Sequence, residues 1–278
     1  MKPAPFDFIR AESVEEALGV LRNEGTDARI LAGGQSFMPM LNMRLARPKV
    51  LVDIMHLMAL AQVNHSNGEI VIGAGVRQAR LLATDDLARS LPLVAQALPY
   101  SGHVQTRSRG TVCGSIAHAD PSAELPLCLV ALRGHVHLRS ASRRRKLPAA
   151  EFFTGVMATA RADDELVEAV SFPVAEGSAN KEGTAFREVA RRHGDFAIVA
   201  CAARVCDEGI RLAVGGVADV PVARDFPRLD GSALDDALNT LAWDLDARDD
   251  VHASARYRRE LVRRIGRATI REAEQCRA

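Results

Sequence analysis

Two short glycine-containing stretches carry the residue types that can hold a phosphate group. They are Ala32-Gly33-Gly34-Gln35-Ser36 and Thr111-Val112-Cys113-Gly114-Ser115, and each lies beside an apolar run typical of a strand. Glycine adopts positive φ without steric cost, so successive backbone N–H groups of such a loop can point to one side and bind an anion. Hydroxyl donors are also present at Ser36, Thr111 and Ser115. The pair therefore predicts a site for the diphosphate of a dinucleotide cofactor.

Two common nucleotide-binding motifs are not matched by these residues. A P-loop requires Gly-x-x-x-x-Gly-Lys-Ser/Thr, and residues 35–38 after Gly34 include no lysine. A Rossmann fingerprint is approached at Gly73-Ala74-Gly75, but Gln78 stands where that motif needs its third glycine. We therefore expect neither nucleotide triphosphatase chemistry nor a Rossmann site.

Two longer runs around the glycine stretches carry a family resemblance. Residues 30–54, ILAGGQSFMPMLNMRLARPKVLVDI, and residues 106–126, TRSRGTVCGSIAHADPSAELP, resemble the two flavin-binding signatures of the FAD-carrying medium subunit of molybdenum hydroxylases. This family includes the carbon monoxide dehydrogenase medium chain, and its relatives include the flavin domain of xanthine dehydrogenase. The resemblance continues through residues 182–205 and the basic C-terminal helix. One departure is Cys113, which occupies the first of two glycine positions usual in the second loop, where it would lie against the cofactor phosphates.

The resemblance implies that this chain binds FAD non-covalently, and it implies the residues that do so. Glu124 matches the acidic position that contacts the flavin nucleotide in relatives. Arg187 matches a position near the flavin that is commonly lysine, and Asp195 and Phe196 match a segment beside the isoalloxazine ring, where relatives can carry tyrosine in place of Phe196. The full predicted cofactor-binding set is Leu31, Ala32, Gly33, Gly34, Gln35, Ser36, Phe37, Met38, Gly110, Thr111, Val112, Cys113, Gly114, Ser115, Asp120, Glu124, Val167, Arg187 and Phe196.

The expected fold class is α+β, with two domains. The resemblance implies a two-lobed FAD-binding domain of the p-cresol methylhydroxylase type at residues 1–176, its lobes at about 1–55 and 56–176. A smaller α+β domain of the CO dehydrogenase flavoprotein type follows at 178–278, with a three-stranded antiparallel sheet plus helices. The boundary is placed at residues 173–182, which are rich in Gly, Ser, Ala and Asn.

The local pattern predicts the following elements. In the first half of the chain, a capping box at Ser13 begins a helix that ends at Gly25, strands lie at 29–32, 50–54 and 70–75 with a loop between the first two, and a helical stretch at 78–98 is interrupted at Pro92. A buried helix then covers 125–132, and strands at 136–138, 145–147 and 166–172 share one antiparallel sheet. Towards the C-terminus, strands at 185–189, 197–205 and 210–217 form a meander, and an amphipathic helix covers 253–276.

Composition narrows the class of protein further. A chain of 278 residues with 47% hydrophobic content can bury a large core. Its net charge of +1 and aromatic content of 4% give no basis for nucleic-acid binding. The N-terminal residues do not resemble a signal peptide, and no apolar run has the length of a membrane span. We therefore expect a cytoplasmic protein that binds neither nucleic acid nor membrane.

The spacing of the five cysteines does not suit an iron–sulfur cluster. Cys113, Cys128, Cys201, Cys206 and Cys276 form no Cys-x-x-Cys pair, and their odd number favours reduced thiols. Iron–sulfur clusters usually need four thiolates at close spacings. Any cluster that supplies electrons to this chain is therefore expected on another polypeptide. A redox role for Cys113 is not favoured, because no resolving cysteine lies near it in sequence.

Three other groups of residues favour an ordinary structural interpretation. His118, Asp120 and Glu124 include metal-ligand types, but Pro121 breaks the helix that would align them. His135 and His137 share one strand face without a third ligand, and we expect exposed sheet residues rather than a metal site. The basic run at residues 143–146 favours a solvated hairpin over a docking patch for a partner subunit.

The function implied by the resemblance is electron transfer in a heteromeric molybdenum hydroxylase. This chain would take electrons from an iron–sulfur small subunit, which carries [2Fe-2S] clusters, and pass them to an external acceptor. A molybdopterin large subunit would oxidise the substrate, and the assembly would be a dimer of heterotrimers. No catalytic acid or base is expected on this chain. Two alternatives remain open: a self-sufficient FAD-dependent oxidoreductase, and a flavin-free assembly scaffold in which Cys113 has disrupted the phosphate cradle.

Overall fold

The structure is a computed structural model that describes residues 2–174 and 182–277. Its strands are β1 (Asp7–Arg10), β2 (Ala28–Leu31), β3 (Val50–Asp53), β4 (Val63–Ser66), β5 (Glu69–Gly73), β6 (His135–Arg139), β7 (Arg144–Pro148), β8 (Phe153–Gly155), β9 (Ala158–Thr159), β10 (Leu166–Pro173), β11 (Gly183–Val189), β12 (Val199–Cys206), β13 (Gly209–Gly215) and β14 (Val222–Phe226). Its helices are α1 (Val14–Glu24), α2 (Phe37–Asn42), α3 (Gln78–Leu82), α4 (Leu87–Ser90), α5 (Pro92–Ala97), α6 (Val104–Arg109), α7 (Val112–His118), α8 (Glu124–Ala131), α9 (Ala149–Phe152), α10 (Gly231–Asp244) and α11 (Ala255–Gln275).

The first lobe is a parallel sheet of β1, β3 and β2, in that order, covered by α1. The predicted capping box is confirmed: the Ser13 hydroxyl accepts a hydrogen bond from the N–H of Glu16 at 3.1 Å. The Glu16 carboxylate in turn accepts from the N–H of Glu12 at 2.6 Å. Gly25 ends the helix with φ of 53°, a conformation that glycine adopts without strain. The segment expected as a loop between β2 and β3 contains the short helix α2.

The second lobe is an antiparallel sheet in the order β4-β5-β10-β6-β7. The three strands predicted at 136–138, 145–147 and 166–172 are present in it as β6, β7 and β10. The stretch predicted as helical at 78–98 is divided into α3, α4 and α5, and Pro92 occupies the first turn of α5, where its missing N–H costs no hydrogen bond. Every residue of α8 is buried, as its apolar sequence predicts.

The C-terminal region contains an antiparallel sheet in the order β11-β12-β13-β14 among the described residues. The predicted meander corresponds to β11, β12 and β13, and β14 is a fourth strand that the sequence pattern does not predict. This edge strand follows Pro221 and carries the exposed Arg224 and Asp225, so it lacks an apolar alternation. The predicted domain boundary falls mostly on residues outside the described ranges, and the division at 176–178 stays a prediction.

The sheet of the C-terminal region is covered on both faces. Phe186, Ala200 and Ala202 share a hydrophobic core with residues of the N-terminal region. Ala185, Cys201 and Leu212 point the other way, into a second core with α10 and α11. Successive side chains of a strand alternate between faces, so each strand contributes to both cores. The same alternation decides which side chains of β11 face the N-terminal region.

The lengths and hydropathy of the helices bear on whether one of them could cross a membrane. In the part of the chain that the structure describes, no helix is both long enough and apolar enough to cross a membrane. The longest, α11, spans 21 residues and is rich in arginine.

Gly73 gives a test of the close packing that supports the second lobe. A Cβ atom at Gly73 would collide with the carbonyl oxygen of Leu60. We expect Gly73→Ala to lower the free energy of unfolding by about 1–3 kcal/mol, the range for overpacked sites. The matched control is Gly19→Ala in α1, where a Cβ meets no atom within 4 Å and where alanine should stabilise by about 1 kcal/mol. Urea denaturation of both variants checks this; equal stability of the Gly73 variant and the wild type would contradict the packing argument.

Candidate functional site

The two glycine loops lie in direct contact. A Cβ atom at Gly33 would collide with the carbonyl oxygen of Arg109 and would lie 2.6 Å from the Cα of Gly110. A Cβ at Gly110 would lie 3.6 Å from the side chain of Gln35, so the first loop also approaches the second from this side. The backbones can meet this closely only because neither position carries a side chain. The sequence predicts positive φ at both Gly33 and Gly34. Gly34 has φ of +70°, as predicted, but Gly33 is not among the glycines with positive φ. Glycine is required at position 33 because the backbone of the second loop comes so close to it.

The first loop presents a row of unpaired amide groups. Among the described residues, the N–H groups of Gly33, Gly34, Gln35 and Ser36 donate no hydrogen bond to another protein atom. The loop is held in shape by other bonds: the Gln35 side chain donates to the Gly33 carbonyl at 3.2 Å, and the N–H of Met38 donates to the Gly34 carbonyl at 2.9 Å. Consecutive free N–H groups in such a turn form an anion-binding concavity. The residues present therefore fit a diphosphate group.

The second loop is built by a helix cap. The Thr111 hydroxyl accepts a hydrogen bond from the N–H of Gly114 at 3.0 Å and begins α7. Gly114 is not among the glycines with positive φ. Instead, a Cβ atom there would lie 2.7 Å from the Thr111 hydroxyl oxygen. Glycine at this position leaves room for the capping hydroxyl, and it does not supply a left-handed conformation.

Cys113 does not lie against the predicted phosphate position, contrary to expectation. Its thiol points into the core, where it donates to the carbonyl of Ile72 at 3.3 Å, and only 2% of its surface is exposed. Burial raises the pKa of this thiol to about 12, so it is not a reactive thiolate. A helix residue can turn its side chain inward while its backbone lines the loop. The side chain of Cys113 therefore gives no physical reason for a disrupted cradle.

Two buried polar residues that the sequence pattern does not predict connect the second loop to Glu124. The N–H of Gln78 donates to the Gly110 carbonyl at 2.8 Å, and its side-chain amide donates to the Thr111 carbonyl at 3.5 Å. The Ser101 hydroxyl donates to the Gln78 side-chain oxygen at 3.3 Å and lies near Glu124, where it favours the charged form of that carboxyl group and lowers its pKa. Sequence alone gives no signal for this chain of contacts, because its members are more than twenty residues apart. Gln78 attracts notice only as a mismatch to the Rossmann motif.

Two carboxyl groups, one in each region, have raised pKa values. Burial raises the pKa of Glu124 to about 7, with a further contribution from Asp120, against hydrogen bonds and Arg107 that favour the charged form. Burial raises the pKa of Glu188 to about 8, and the charge of Glu124 adds to the effect. The Oε2 atom of Glu188 is buried and has no hydrogen-bond partner among the described residues. Glu188 is a third residue that the sequence pattern does not indicate.

The other predicted site residues in the N-terminal region belong to β2, α2, α7, the segment after α7 and β10. Leu31 ends β2 and Ala32 follows it, while Phe37 and Met38 begin α2 next to the first loop. Val112 is fully buried in α7, and Ser115 lies in the same helix. Asp120, after α7, accepts a hydrogen bond from the N–H of Ser122 at 2.8 Å. Val167 in β10 is only 4% exposed and belongs to the hydrophobic core.

Arg187 does not face the other predicted cofactor residues. Its guanidinium donates to the Glu272 carboxylate in α11 at 2.6 Å, on the sheet face that packs against the helices. Its neighbour Glu188 takes the opposite face, towards Glu124. The prediction that Arg187 places a cation at the flavin is therefore not supported by its side-chain direction.

Phe196 stands at the rim of an open cleft between the two regions. The cleft has a volume of about 420 Å³ and is lined by Pro121, Val156, Asp195 and Arg258, among others. Phe196 is 71% exposed, which is unusual for a phenylalanine in a packed domain. The aromatic ring and the neighbouring Asp195 are therefore free to contact a planar group in the cleft.

The histidines of β6 are half-buried, which corrects the expectation of exposed sheet residues. The Nε2 atom of His137 lies 2.9 Å from the Ser171 hydroxyl, and Nδ1 of His135 lies 3.2 Å from the Glu69 carboxylate. Burial lowers the pKa of His137. Lys146 covers the same face and pairs with Glu69 at 2.7 Å. Within residues 2–174 and 182–277, no group of three or more His, Cys, Asp or Glu side chains could hold a metal ion.

The basic run at residues 143–146 forms a hairpin strand whose cations are locally paired. Arg143 and Arg145 both contact the Glu165 carboxylate, at 3.2 and 2.7 Å. Arg144 lies 3.5 Å from Glu168. With these partners and that of Lys146, the run is largely neutralised within its own sheet, which agrees with the hairpin interpretation.

Comparison with known proteins shows the family. Residues 4–175 match the FAD binding domain in molybdopterin dehydrogenase, and residues 184–273 match the CO dehydrogenase flavoprotein C-terminal domain. The chain is 36% identical to the 6-hydroxypseudooxynicotine dehydrogenase complex subunit alpha of Paenarthrobacter nicotinovorans, over 98% of this chain and 96% of that protein. It is 35% identical to the glyceraldehyde dehydrogenase medium chain of Sulfolobus acidocaldarius, over 98% and 99%. A solved CO dehydrogenase from Oligotropha carboxidovorans superposes with a TM-score of 0.93 and 29% identity, covering 100% of both chains.

The fold and the joined glycine loops thus define the FAD-binding domain of a molybdopterin-type dehydrogenase. The chain belongs to the family of FAD-binding medium subunits of CO dehydrogenase and related molybdenum hydroxylases. It is accordingly an oxidoreductase flavoprotein, as the resemblance of its two flavin signatures implied.

The two raised carboxyl pKa values predict how stability changes with pH. A carboxyl whose folded pKa lies above its unfolded value stabilises the fold fully below the unfolded value, and this contribution is lost as pH rises through the folded pKa. For Glu124 and Glu188 the loss runs from the ordinary value of 4.5 up to about 7 and about 8. We expect Glu188→Gln, which cannot ionise, to match the wild type in melting temperature at pH 4, below the unfolded value. At pH 8.5 it should melt at least roughly 2 °C higher, the shift that corresponds to 1 kcal/mol.

Thermal melting of both proteins across this pH range is the measurement. The exposed Glu208 gives a matched control, because Glu208→Gln should leave the pH dependence unchanged. If the melting temperatures of the wild type and Glu188→Gln changed equally with pH, the carboxyl group of Glu188 would not be held in its neutral form.

Proposed function

We propose that this chain relays electrons through FAD in a molybdenum hydroxylase, taking them from an iron–sulfur subunit and passing them to an external acceptor. One observation supports the cofactor site above all others: the two glycine loops meet, and the four amide groups of residues 33–36 have no partner in the described protein. An anionic diphosphate would satisfy those donors. The chain's own family, defined by an FAD binding domain, supplies the identity of the cofactor.

The proposed binding residues follow from the geometry of the site. The diphosphate would lie on the loop of residues 33–36, with the second loop closing the other side at Gly110 and Thr111. From there Gln78, Ser101 and Glu124 form a polar path to the boundary between the two regions. A carboxylate such as Glu124 can accept hydrogen bonds from the ribityl hydroxyl groups. The exposed ring of Phe196 and the carboxylate of Asp195 would contact the isoalloxazine ring.

FAD bound at this site supplies the capacity to accept and release two electrons. The chain's own residues bind the diphosphate, orient the nucleotide and set the charge around it. The described residues place no cysteine pair suited to an iron–sulfur cluster beside the loops, and Cys113, Cys128 and Cys201 are all buried. Electrons would therefore enter through contact with another subunit.

The partners we propose are an iron–sulfur small subunit and a molybdopterin large subunit, assembled as a dimer of heterotrimers. The support comes from relatives. One is named a complex subunit and another a medium chain, and a solved relative is a CO dehydrogenase that lacks the Mo-pyranopterin moiety of its molybdenum cofactor. The substrate would be oxidised on the large subunit.

Gly34 gives the most direct test of the cofactor site. Valine at this position would be strained at φ of +70°, and its Cβ atom would lie 3.2 Å from the side chain of Met38. We expect Gly34→Val to lose at least about nine-tenths of its FAD. The flavin is released by acid precipitation and quantified in the supernatant. Full release from the wild type is expected, because the cofactor is held without a covalent bond.

The matched control for this experiment is Cys113→Ala. This substitution changes a side chain of the second stretch but leaves the backbone of both glycine loops unchanged. This variant should keep its full flavin content, since the thiol points into the core. Retention of normal flavin by Gly34→Val would show that the first loop does not hold the cofactor. Flavin that stays with the acid precipitate would show a covalent attachment instead.

Electron relay is tested by comparing the isolated chain with the assembled complex. The FAD-loaded chain should be bleached by dithionite but should remain oxidised in the presence of the complex's substrate. Addition of the iron–sulfur and molybdopterin subunits should then allow rapid substrate-dependent bleaching, followed by stopped-flow absorbance. Turnover of the substrate by the isolated chain at the rate of the complex would instead establish a self-sufficient oxidoreductase.

A further inference from the structure

The loop that joins β11 to β12, residues 190–198, carries Phe196 into the cleft between the two regions; we call it the Phe196 loop. A hydrogen bond from the N–H of Ile198 to the Val189 carbonyl, at 2.8 Å, closes its base. The ring of Phe196 is 71% exposed and is therefore not packed in a hydrophobic core. An unpacked ring cannot fix the position of the loop that carries it, so other contacts must do so.

The first anchor of this loop is the contact of Gly194 with a turn of the N-terminal region. Gly194 has φ of +84°, and a Cβ atom there would lie 2.7 Å from Cε1 of His103 and 3.1 Å from the carbonyl carbon of Gly102. The ring of His193 packs edge-on against that of Tyr100, with centroids 5.7 Å apart. The loop thus touches this turn so closely that only glycine fits at position 194.

The second anchor lies at the C-terminal end of the loop. Gly216 has φ of +79°, and a Cβ atom there would lie 2.8 Å from the carbonyl oxygen of Ala197 and 2.9 Å from that of Ile198. The buried Arg258 joins the two segments, donating to the Ile198 carbonyl at 3.1 Å and to the Gly216 carbonyl at 2.5 Å. The N–H of Gly216 donates in turn to the Pro121 carbonyl of the N-terminal region at 2.8 Å.

Both anchors rest on parts of the N-terminal region that adjoin the second glycine loop. The turn of the first anchor contains Ser101, whose hydroxyl donates to Gln78, and Gln78 donates to the Thr111 carbonyl of that glycine loop. The guanidinium of Arg107 donates to three carbonyls of the same turn and holds it in shape. Pro121, in the second anchor, follows α7, the helix that begins at the glycine loop.

We propose that Gly194 and His103 are positioning residues for the flavin, because their contact holds Phe196 where its ring covers the isoalloxazine. This inference rests on the proposed function, in which Phe196 lies against that ring. Close contacts at Gly194 and Gly216 flank Phe196 in space and leave its backbone little freedom, so the aromatic ring is in place before the cofactor binds. Such preorganisation reduces the ordering cost of binding. The glycine loops hold the diphosphate, and the Phe196 loop sets the place of the ring.

Alanine at position 194 should displace the loop without disturbing the phosphate site. It would be strained at φ of +84° and would press on the ring of His103 and on the backbone of Gly102. The loop must then move away from the turn, and Phe196 moves with it. The two glycine loops are unchanged, so Gly194→Ala should keep its FAD.

The experiment measures how far iodide quenches the flavin fluorescence of the FAD-loaded full-length chain. Iodide quenches by collision and reaches only the uncovered part of the ring. Gly194→Ala should raise the quenching constant at least about twofold, the change expected when a planar ring loses an aromatic neighbour that covers one face. His103→Ala removes the ring on which Gly194 rests and should change quenching in the same direction. His103 is exposed, so this variant decides the question if Gly194→Ala does not fold.

Phe196→Ala shows whether Gly194 acts through the aromatic ring. This variant should raise quenching by itself, and Gly194→Ala should add nothing further in its background, so that the two substitutions are not additive. A merely structural role of Gly194 would lower the melting temperature equally with and without Phe196, and it would leave the quenching constant unchanged.

Gly231→Ala is the matched control. Gly231 lies in the same region and has a positive φ of +51°, but a Cβ atom there meets no atom within 4 Å. It should quench as the wild type does. Unchanged quenching in both Gly194→Ala and His103→Ala would overturn the inference, as would an undiminished effect of Gly194→Ala in the Phe196→Ala background. Failure of the proposed function would look different: the wild type would hold no flavin, or Phe196→Ala would leave quenching unchanged, and the positioning role would fall with it.

Discussion

The close approach of Gly33 to the backbone of Arg109 and Gly110 is the contact on which the site depends. It brings a loop that follows a strand of the parallel sheet against a loop that precedes α7 in the second lobe. Any side chain at Gly33 would push the two loops apart. The unpaired amides of residues 33–36 would then no longer lie opposite the second loop. Two lobes of different topology thus meet through a backbone contact that has no room for a side chain at Gly33.

Burial is a second constraint, and it acts on the polar side chains next to the second loop. Gln78 and Ser101 are both buried, so each must find partners within the protein. Ser101 donates to Gln78, and Gln78 donates to the carbonyl of Thr111 in the second loop. In β11 of the C-terminal region, by contrast, the buried Oε2 atom of Glu188 has no hydrogen-bond partner among the described residues. The polar groups beside the second loop are thus hydrogen bonded within the protein, whereas one carboxylate oxygen of β11 is not.

Much of this arrangement could be predicted from local sequence. Ser13, Glu16 and Gly25 define both ends of α1 through short-range hydrogen bonds and backbone conformation. The two glycine loops also carry a recognisable local pattern, and their contact agrees with the expectation that they act together. The contacts of Gln78 and Ser101 could not be predicted in the same way. Their partners are distant in sequence, and a buried glutamine or serine has no periodic signature.

The sequence pattern does not predict which face of the sheet Arg187 and Glu188 occupy, and the reason is different. In a half-buried strand, alternation of apolar and polar residues identifies the inner face. The sheet of the C-terminal region is covered on both sides, so Ala185 and Phe186 are both buried and the alternation disappears. The glycine pattern around Cys113 predicts a loop, and a loop pattern does not indicate in which direction the thiol points. It lies in α7, where a side chain is directed by the helix.

The double covering of this sheet has a consequence for how the family can vary. A shift of β11 by a single residue would exchange its two faces, placing the guanidinium of Arg187 beside Glu124 and the carboxyl group of Glu188 against α11. Both hydrophobic cores would have to be repacked for that exchange, because Ala185 and Phe186 would also change sides. Insertions and deletions within β11 should consequently be rejected by selection. The charge on this face of the sheet can change by substitution at residue 188, but the length of the strand cannot.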